Sequence, residues 1–203
     1  MIHIFIGTKA QYIKTAPVIR RLERLGIPFN LIDSGQHAHI LSTLRKELKV
    51  REPDVCLRQG EDISSYLAGI AWLLKWLAVM LFAPGRMRRE IFKNRQGICL
   101  VHGDTGTALL SALMSWRAGL DIAHLEAGLR SFNWLHPFPE ELVRIIVGRM
   151  ATLLFAPSQT AAANLEKMRV RGRIVDTGCN TGIESTCEIS RADIDTNVEF
   201  DEY

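Results

Sequence analysis

The chain has 203 residues, 47% hydrophobic and 23% charged, the balance of a packed globular domain rather than a disordered segment. Its 25 Lys and Arg against 22 Asp and Glu leave a net charge of +3, too small an excess to indicate a nucleic-acid partner, although a local basic patch can still serve a phosphate. Four cysteines, Cys56, Cys99, Cys179 and Cys187, form no CxxC pair; they read as reduced thiols of a cytoplasmic protein, not as disulfides or metal ligands.

In chain order, Ile2 to Ile6 is a short apolar run ended by Gly7, the pattern of a buried parallel strand. It lacks a basic leader and is too short for a signal peptide. Apolar spacing from Gln11 to Leu25 predicts a helix that Pro17 kinks or delays, with Gly26 as its stop and a strand from Phe29 to Ile32. A turn at Ser34 to His37 leads into a helix from Ala38 to Leu48. The next helix, Ile63 to Phe82, contains the run YLAGIAWLLKWLAVMLFAP, nearly as long as a membrane span but interrupted by Lys75 and followed by Arg86, Arg88 and Arg89. We read Tyr66 to Phe82 as a buried or partner-facing helix, with membrane-surface contact or a span as the alternatives. Because it is apolar nearly all round, it is expected to support a homo-oligomer.

Strands follow at Gly97 to Val101, Asp121 to Leu125, Thr152 to Phe155 and Arg173 to Asp176, separated by helices at Thr107 to Trp116, Glu140 to Met150 and Ser158 to Met168. Strands alternating with helices predict an α/β, Rossmann-like, doubly wound parallel sheet. One domain is expected over 1–186, and the acidic stretch 187–203 reads as a mobile tail or linker remnant.

Three loops at strand ends carry the chemistry, because ligands of an open α/β sheet bind beyond the carboxyl ends of its strands. In Gly7-Thr8-Lys9-Ala10-Gln11 the glycine permits close backbone approach, and Lys9 and Lys14 supply ammonium groups for a phosphate; a solvated turn is the bland account. In His102-Gly103-Asp104-Thr105-Gly106-Thr107 small residues allow an anion-binding concavity at a helix start, with Asp104 as a proton- or hydroxyl-handling carboxylate or simply a helix cap. The third loop places Glu126 at the end of a buried strand, as a reactive carboxylate or as the ion-pair partner of Arg130 or Arg144, and Glu140 at a helix start, where dipole complementation is the simpler role. His37, His39 and His136 have no metal-ligand spacing.

The stretches GTKAQYIKTAP, DSGQH, VHGDTGT, HLEAGLRS and PFPEELVR, in this order, with FAPSQTAAANL and DTGCNTGIES beyond them, resemble the N-terminal half of the non-hydrolysing UDP-N-acetylglucosamine 2-epimerase family over about residues 2 to 186. The resemblance implies one half of a glycosyltransferase-B arrangement. It also implies interconversion of UDP-N-acetylglucosamine and UDP-N-acetylmannosamine by anti elimination and re-addition of UDP, without a cofactor or metal. Carried over by motif, Asp104, Glu126 and Glu140 match the family's active-site carboxylates and Lys14 its binding lysine. Gln36 and His37 match the motif near an allosteric nucleotide-sugar site. Lys9 stands where the family's GTRPE loop has an arginine, keeping charge without the bidentate fork, and Gln11 replaces the acidic residue. The family's second domain, which supplies the uridine pocket, most diphosphate contacts and a catalytic histidine, has no counterpart in these residues. A separate C-terminal-half partner is therefore expected. The alternatives are a hydrolysing epimerase, half of a split glycosyltransferase, and a non-catalytic subunit that binds nucleotide sugar or docks a partner or membrane.

Overall fold

The computed structural model describes residues 1–36, 38–58, 66–133 and 136–183. His37, the segment 63–65 at the expected start of the long helix, and the expected tail with Cys187 lie outside them.

Seven strands form one parallel sheet: β1 (Ile2–Ile6), β2 (Phe29–Asp33), β3 (Val55–Cys56), β4 (Ile98–His102), β5 (Asp121–Leu125), β6 (Leu153–Ala156) and β7 (Arg173–Asp176). Their spatial order is β3-β2-β1-β4-β5-β6-β7, the doubly wound arrangement expected from the alternation of apolar runs. The two-residue β3 is the strand missed by the periodicity, being too short to show any.

Among the described residues seven helices connect the strands: α1 (Lys9–Arg24), α2 (Ala38–Glu47), α3 (Tyr66–Phe82), α4 (Pro84–Glu90), α5 (Gly106–Ala118), α6 (Glu140–Met150) and α7 (Gln159–Lys167). Pro17 does not delay α1 as expected: the helix starts two residues before Gln11 and runs on through the proline. Its start is fixed by a capping box in which the Thr8 hydroxyl accepts from Gln11 N–H while the Gln11 side chain accepts from the Thr8 N–H. The basic stretch after Pro84 does not prolong the long helix: α4 leaves α3 at 108°. Proline at the first position of α4 suits a helix start and not a helix interior.

Right-handed crossovers place α1 and α2 on one face and α3 to α7 on the other. Ile4, Ile6, Tyr12, Ile19, Leu31 and Leu41 form the core under the first pair. Phe5, Cys99, Val101, Met114, Val147 and Leu165 belong to the larger core on the opposite face. Cys99 is fully buried, where desolvation pushes its thiol up to about 12, so it behaves as the small hydrophobe expected. Beyond α1, over β4 to β6, the first face carries an apolar groove of about 460 Å³ lined by Val18, Ile98, Leu100, Leu125 and Phe155 among the described residues.

Candidate functional site

The loops after β1, β4 and β5 meet where the strand order reverses, the position that an open α/β sheet offers a ligand. Gly7 closes the first loop against the second: a Cβ there would lie 2.5 Å from Thr107 side-chain atoms. The expectation that this glycine lets a phosphate approach the backbone is corrected at the first two amides. Gly7 N–H (2.7 Å) and Thr8 N–H (3.2 Å) both donate to Gln11 Oε1. The same amide uses Nε2 to donate to His102 O at 2.8 Å and Thr105 Oγ1 at 3.0 Å. Gln11 is thus a buried cross-link between two site loops, a role the sequence hinted at only through its departure from an acidic residue.

The second loop is pinned to the third. Gly103 N–H donates to Leu125 O at 3.1 Å, and the Gly103 carbonyl sits 2.8 Å from His124 Nε2. Gly103 has φ +70°, a conformation open to glycine at no steric cost. Thr105, not Asp104, is the N-cap of α5; its hydroxyl accepts from Ala108 N–H. Asp104 instead takes a two-pronged contact from Arg144 of α6, with Nε at 2.7 Å and an Nη at 2.5 Å.

Glu126 follows β5 at φ +58°, a left-handed conformation that costs a non-glycine residue about 1 kcal/mol or more. Its Oε2 receives Lys14 Nζ at 2.7 Å, so its partner is neither Arg130 nor Arg144, as the ion-pair account had it. The carboxylate is 6% exposed, and Oε1 is buried without a hydrogen-bond partner. His102 Nε2 lies 3.9 Å from Oε1, too far for a hydrogen bond. Burial, then the positive charge of Lys14, push the His102 imidazole down to about 3, so it is neutral at pH 7. His124 is shifted in the same direction by burial.

Glu140 opens α6 one turn before Arg144 and on the same helix face, and its Oε2 is also buried without a partner. Its neighbour Glu141, absent from the sequence-derived set, is fully buried and binds Arg130 (2.5 Å), Arg144 (3.5 Å) and Ser131 N–H (3.1 Å). These contacts outweigh desolvation and hold its carboxyl below the usual range. Glu141 therefore scaffolds the Arg130–Arg144 side of the site.

The structure brings Lys14 and Glu126 together and joins Asp104 to the helix that begins with Glu140. Lys9 is exposed at the first residue of α1. Gln36 lies at the same edge, lining a pocket of about 400 Å³ with Thr8, Thr105, Thr107, Gly69 and Trp72. No group of three or more His, Cys, Asp or Glu suited to a metal ion occurs among the described residues.

A family model for UDP-N-acetylglucosamine 2-epimerase matches residues 20–202. Curated UDP-N-acetylglucosamine 2-epimerases of Methanococcus maripaludis and Methanocaldococcus jannaschii are 31% and 29% identical over 92% and 91% of this chain, and 47% of their own length. The chain therefore spans about half the length of the relatives it matches. Among solved structures, the M. jannaschii UDP-GlcNAc 2-epimerase in complex with UDP-GlcNAc and UDP superposes with a TM-score of 0.76 at 27% identity, covering 98% of this chain and 51% of that one. The Neisseria meningitidis enzyme bound to UDP-GlcNAc gives 0.76 at 25%, covering 96% and 50%. The family model covers more than half of the chain, and a relative 31% identical over 92% of it agrees, so the chain belongs to the UDP-N-acetylglucosamine 2-epimerase family.

Proposed function

We propose that this chain forms the N-terminal side of a UDP-N-acetylglucosamine 2-epimerase cleft, the other side of which is supplied by residues outside these 203, in the same polypeptide or in another. The observation that carries the reading is Glu126: a buried carboxylate at a strand end, clamped by Lys14 through one oxygen and with the other oxygen unpartnered. Such a group is positioned to take or return a proton, because its free oxygen has no competing donor and its geometry is fixed before substrate arrives. Elimination of UDP from the sugar breaks the C2–H and anomeric C–O bonds, which calls for a base at C2 and positive charge near the departing diphosphate. Lys14, and Arg144 held by Asp104 and Glu141, provide cations on this side of the cleft. In this reading Glu126, Asp104 and Glu140 form the proton-handling set, Lys14 and Lys9 serve the diphosphate, and Gln36 and His37 are assigned to a second nucleotide-sugar site.

The test mixes this chain with the C-terminal half of a related epimerase, adds UDP-N-acetylglucosamine in deuterated water, and follows C2 inversion and deuterium incorporation by proton NMR. Inversion with exchange that is lost in Glu126→Gln supports the reading. Release of free UDP and N-acetylmannosamine would assign the hydrolysing outcome, and ligand binding without turnover by a folded, properly paired complex would make the chain a binding subunit.

A further inference from the structure

All seven strands are parallel, so their carboxyl ends, with the site loops, share one edge and their amino ends the opposite edge. Helix α3 starts at the site edge, where Gly69 and Trp72 share a pocket with Thr8 and Thr105, and descends to the far edge. There the α4 end packs beneath the sheet: Ile91 O accepts from Asn30, and Phe92 meets the His3 ring edge-on.

This descent leaves apolar surface uncovered. Trp72 and Met80 are buried, but Ile70, Leu74 and Leu81 are more than half exposed, and Phe82 is 85% exposed at the bend into α4. Leu77 and Leu113 line one pocket, which sets α5 beside α3; Trp116, 64% exposed, follows one turn below Leu113. Around this tip α4 presents Arg86, Arg88 and Arg89 to solvent, and Arg117 ends α5.

The same edge is basic well beyond the tip. Parallel topology sends the carboxyl ends of α1, α5, α6 and α7 there, with Arg21 and Arg24, Arg117, Arg149 and Lys167 in their last turns. Helix dipoles account for those, but not for Arg95, Arg169 and Arg171, which stand in the loops of that edge. Among the described residues the acidic side chains there are Glu23, Glu47, Glu52, Asp54, Glu90, Asp121 and Glu166; Glu90 is paired with Arg86, and Asp54 with Lys93 and Arg51, so the edge keeps a basic excess chiefly at the arginines around the α3–α4 corner.

We infer that the α3–α4 corner docks the domain onto an anionic lipid surface, with Leu81, Phe82 and Trp116 entering the headgroup region and the surrounding arginines facing lipid phosphates. A second copy of the chain would meet this net positive edge with an equally positive one, whereas an anionic bilayer complements it. No single described helix is long and apolar enough to cross a membrane, and the 108° bend turns the arginine-bearing helix away from α3 at the depth of Phe82. The site loops lie at the opposite edge and stay open to substrate in this orientation.

The test is co-sedimentation of the full chain with vesicles of phosphatidylcholine alone and of phosphatidylcholine with about one-third phosphatidylglycerol. The comparison set is R86Q/R88Q/R89Q and Phe82→Ser, each checked for an unchanged melting curve; all four positions are exposed, so the fold tolerates them. We expect binding to the anionic vesicles only, weakened by added salt, by about fivefold for each arginine removed, and by about tenfold or more when Phe82 loses its ring. Three results overturn the inference: no binding to anionic vesicles, equal binding to both compositions, or binding indifferent to both variants. A stable dimer in light scattering that Phe82→Ser dissociates, with no vesicle binding, assigns the corner to a second copy instead.

Discussion

At the scale of single residues, the site is a set of carboxylates each given a different neighbour. Glu126 shares Lys14, Asp104 shares Arg144 with Glu141, and Glu140 retains a buried oxygen with no partner. Glu126→Gln keeps shape but removes basicity. In the reconstituted two-chain enzyme it is expected to lower turnover about 100-fold or more while moving the melting temperature by only a few degrees. Asp104→Asn is expected to cost turnover similarly and stability by about 0.5–1 kcal/mol, because Arg144 keeps Glu141 as a partner and the pair is partly exposed. Retained turnover with a large drop in melting temperature would instead make either carboxylate a scaffold. The buried histidines give a separate, pH-dependent expectation. His102 titrates near 3 when folded and near 6.5 when unfolded, so between these values the unfolded chain binds more protons. The stability tied to its neutral form is fully present above about pH 6.5 and is lost as pH falls toward 3. His124 and His3 are shifted in the same direction and add to the slope. Urea unfolding at pH 7, 6 and 5 should show stability falling by about 1 kcal/mol per unit or more below pH 6, and His102→Gln should flatten that slope. An unchanged slope in the variant would place the titration elsewhere.

At the scale of elements, the structure shows why one glutamine matters more than its sequence context indicates. Gln11 caps α1 with its oxygen and ties α1 to the loop after β4 with its nitrogen, so its amide orientation is fixed by what it meets. Gln11→Ala removes four hydrogen bonds and is expected to cost about 2–4 kcal/mol. Gln11→Glu retains the two acceptor contacts but points an anion at His102 O, and should still be destabilised measurably in thermal melts. If Gln11→Glu melts with the parent, the cross-link contributes nothing and the capping box alone accounts for the residue. Most element positions were legible because parallel strands buried on both faces read as short continuous apolar runs and helices repeat their apolar side chains at about 3.6 residues: β5, α6 and β7 fall where their apolar patterns put them. The failures have physical causes. Pro17 was expected to kink or delay α1, yet the helix starts ahead of Gln11 and continues through the proline. The α3–α4 bend hid inside an apolar-then-basic run that reads equally well as one helix. Strand-end position made Asp104 and Glu126 legible as site candidates, but not their partners, because Lys14–Glu126 and Arg144–Asp104 join residues far apart in the chain.

At the scale of the whole molecule, the polarity of a parallel sheet separates two surfaces. The carboxyl edge collects Glu126, Lys14, Asp104 and Gln36, and the amino edge collects exposed apolar side chains and arginines. A carboxyl edge alone is half a cleft: the pocket of about 400 Å³ there is lined by Thr8, Gln36, Thr105 and Thr107 together with apolar residues of α3 and α5. Remote contacts to a nucleotide normally supply the binding energy that is used to reach the transition state, and excluding water strengthens the electrostatics within the site. With one wall missing, Lys14 remains about one-third exposed, and the charge it offers a departing diphosphate is screened by solvent. The chain by itself is therefore expected to bind UDP-N-acetylglucosamine weakly and to epimerise it negligibly, while a complementary half restores turnover by closing the site rather than by repairing the fold. Proton NMR of the pure chain with excess substrate checks this directly. Sustained formation of the C2 epimer would show that one sheet edge suffices, and would move the catalytic weight from a shared cleft onto Glu126 and its immediate neighbours.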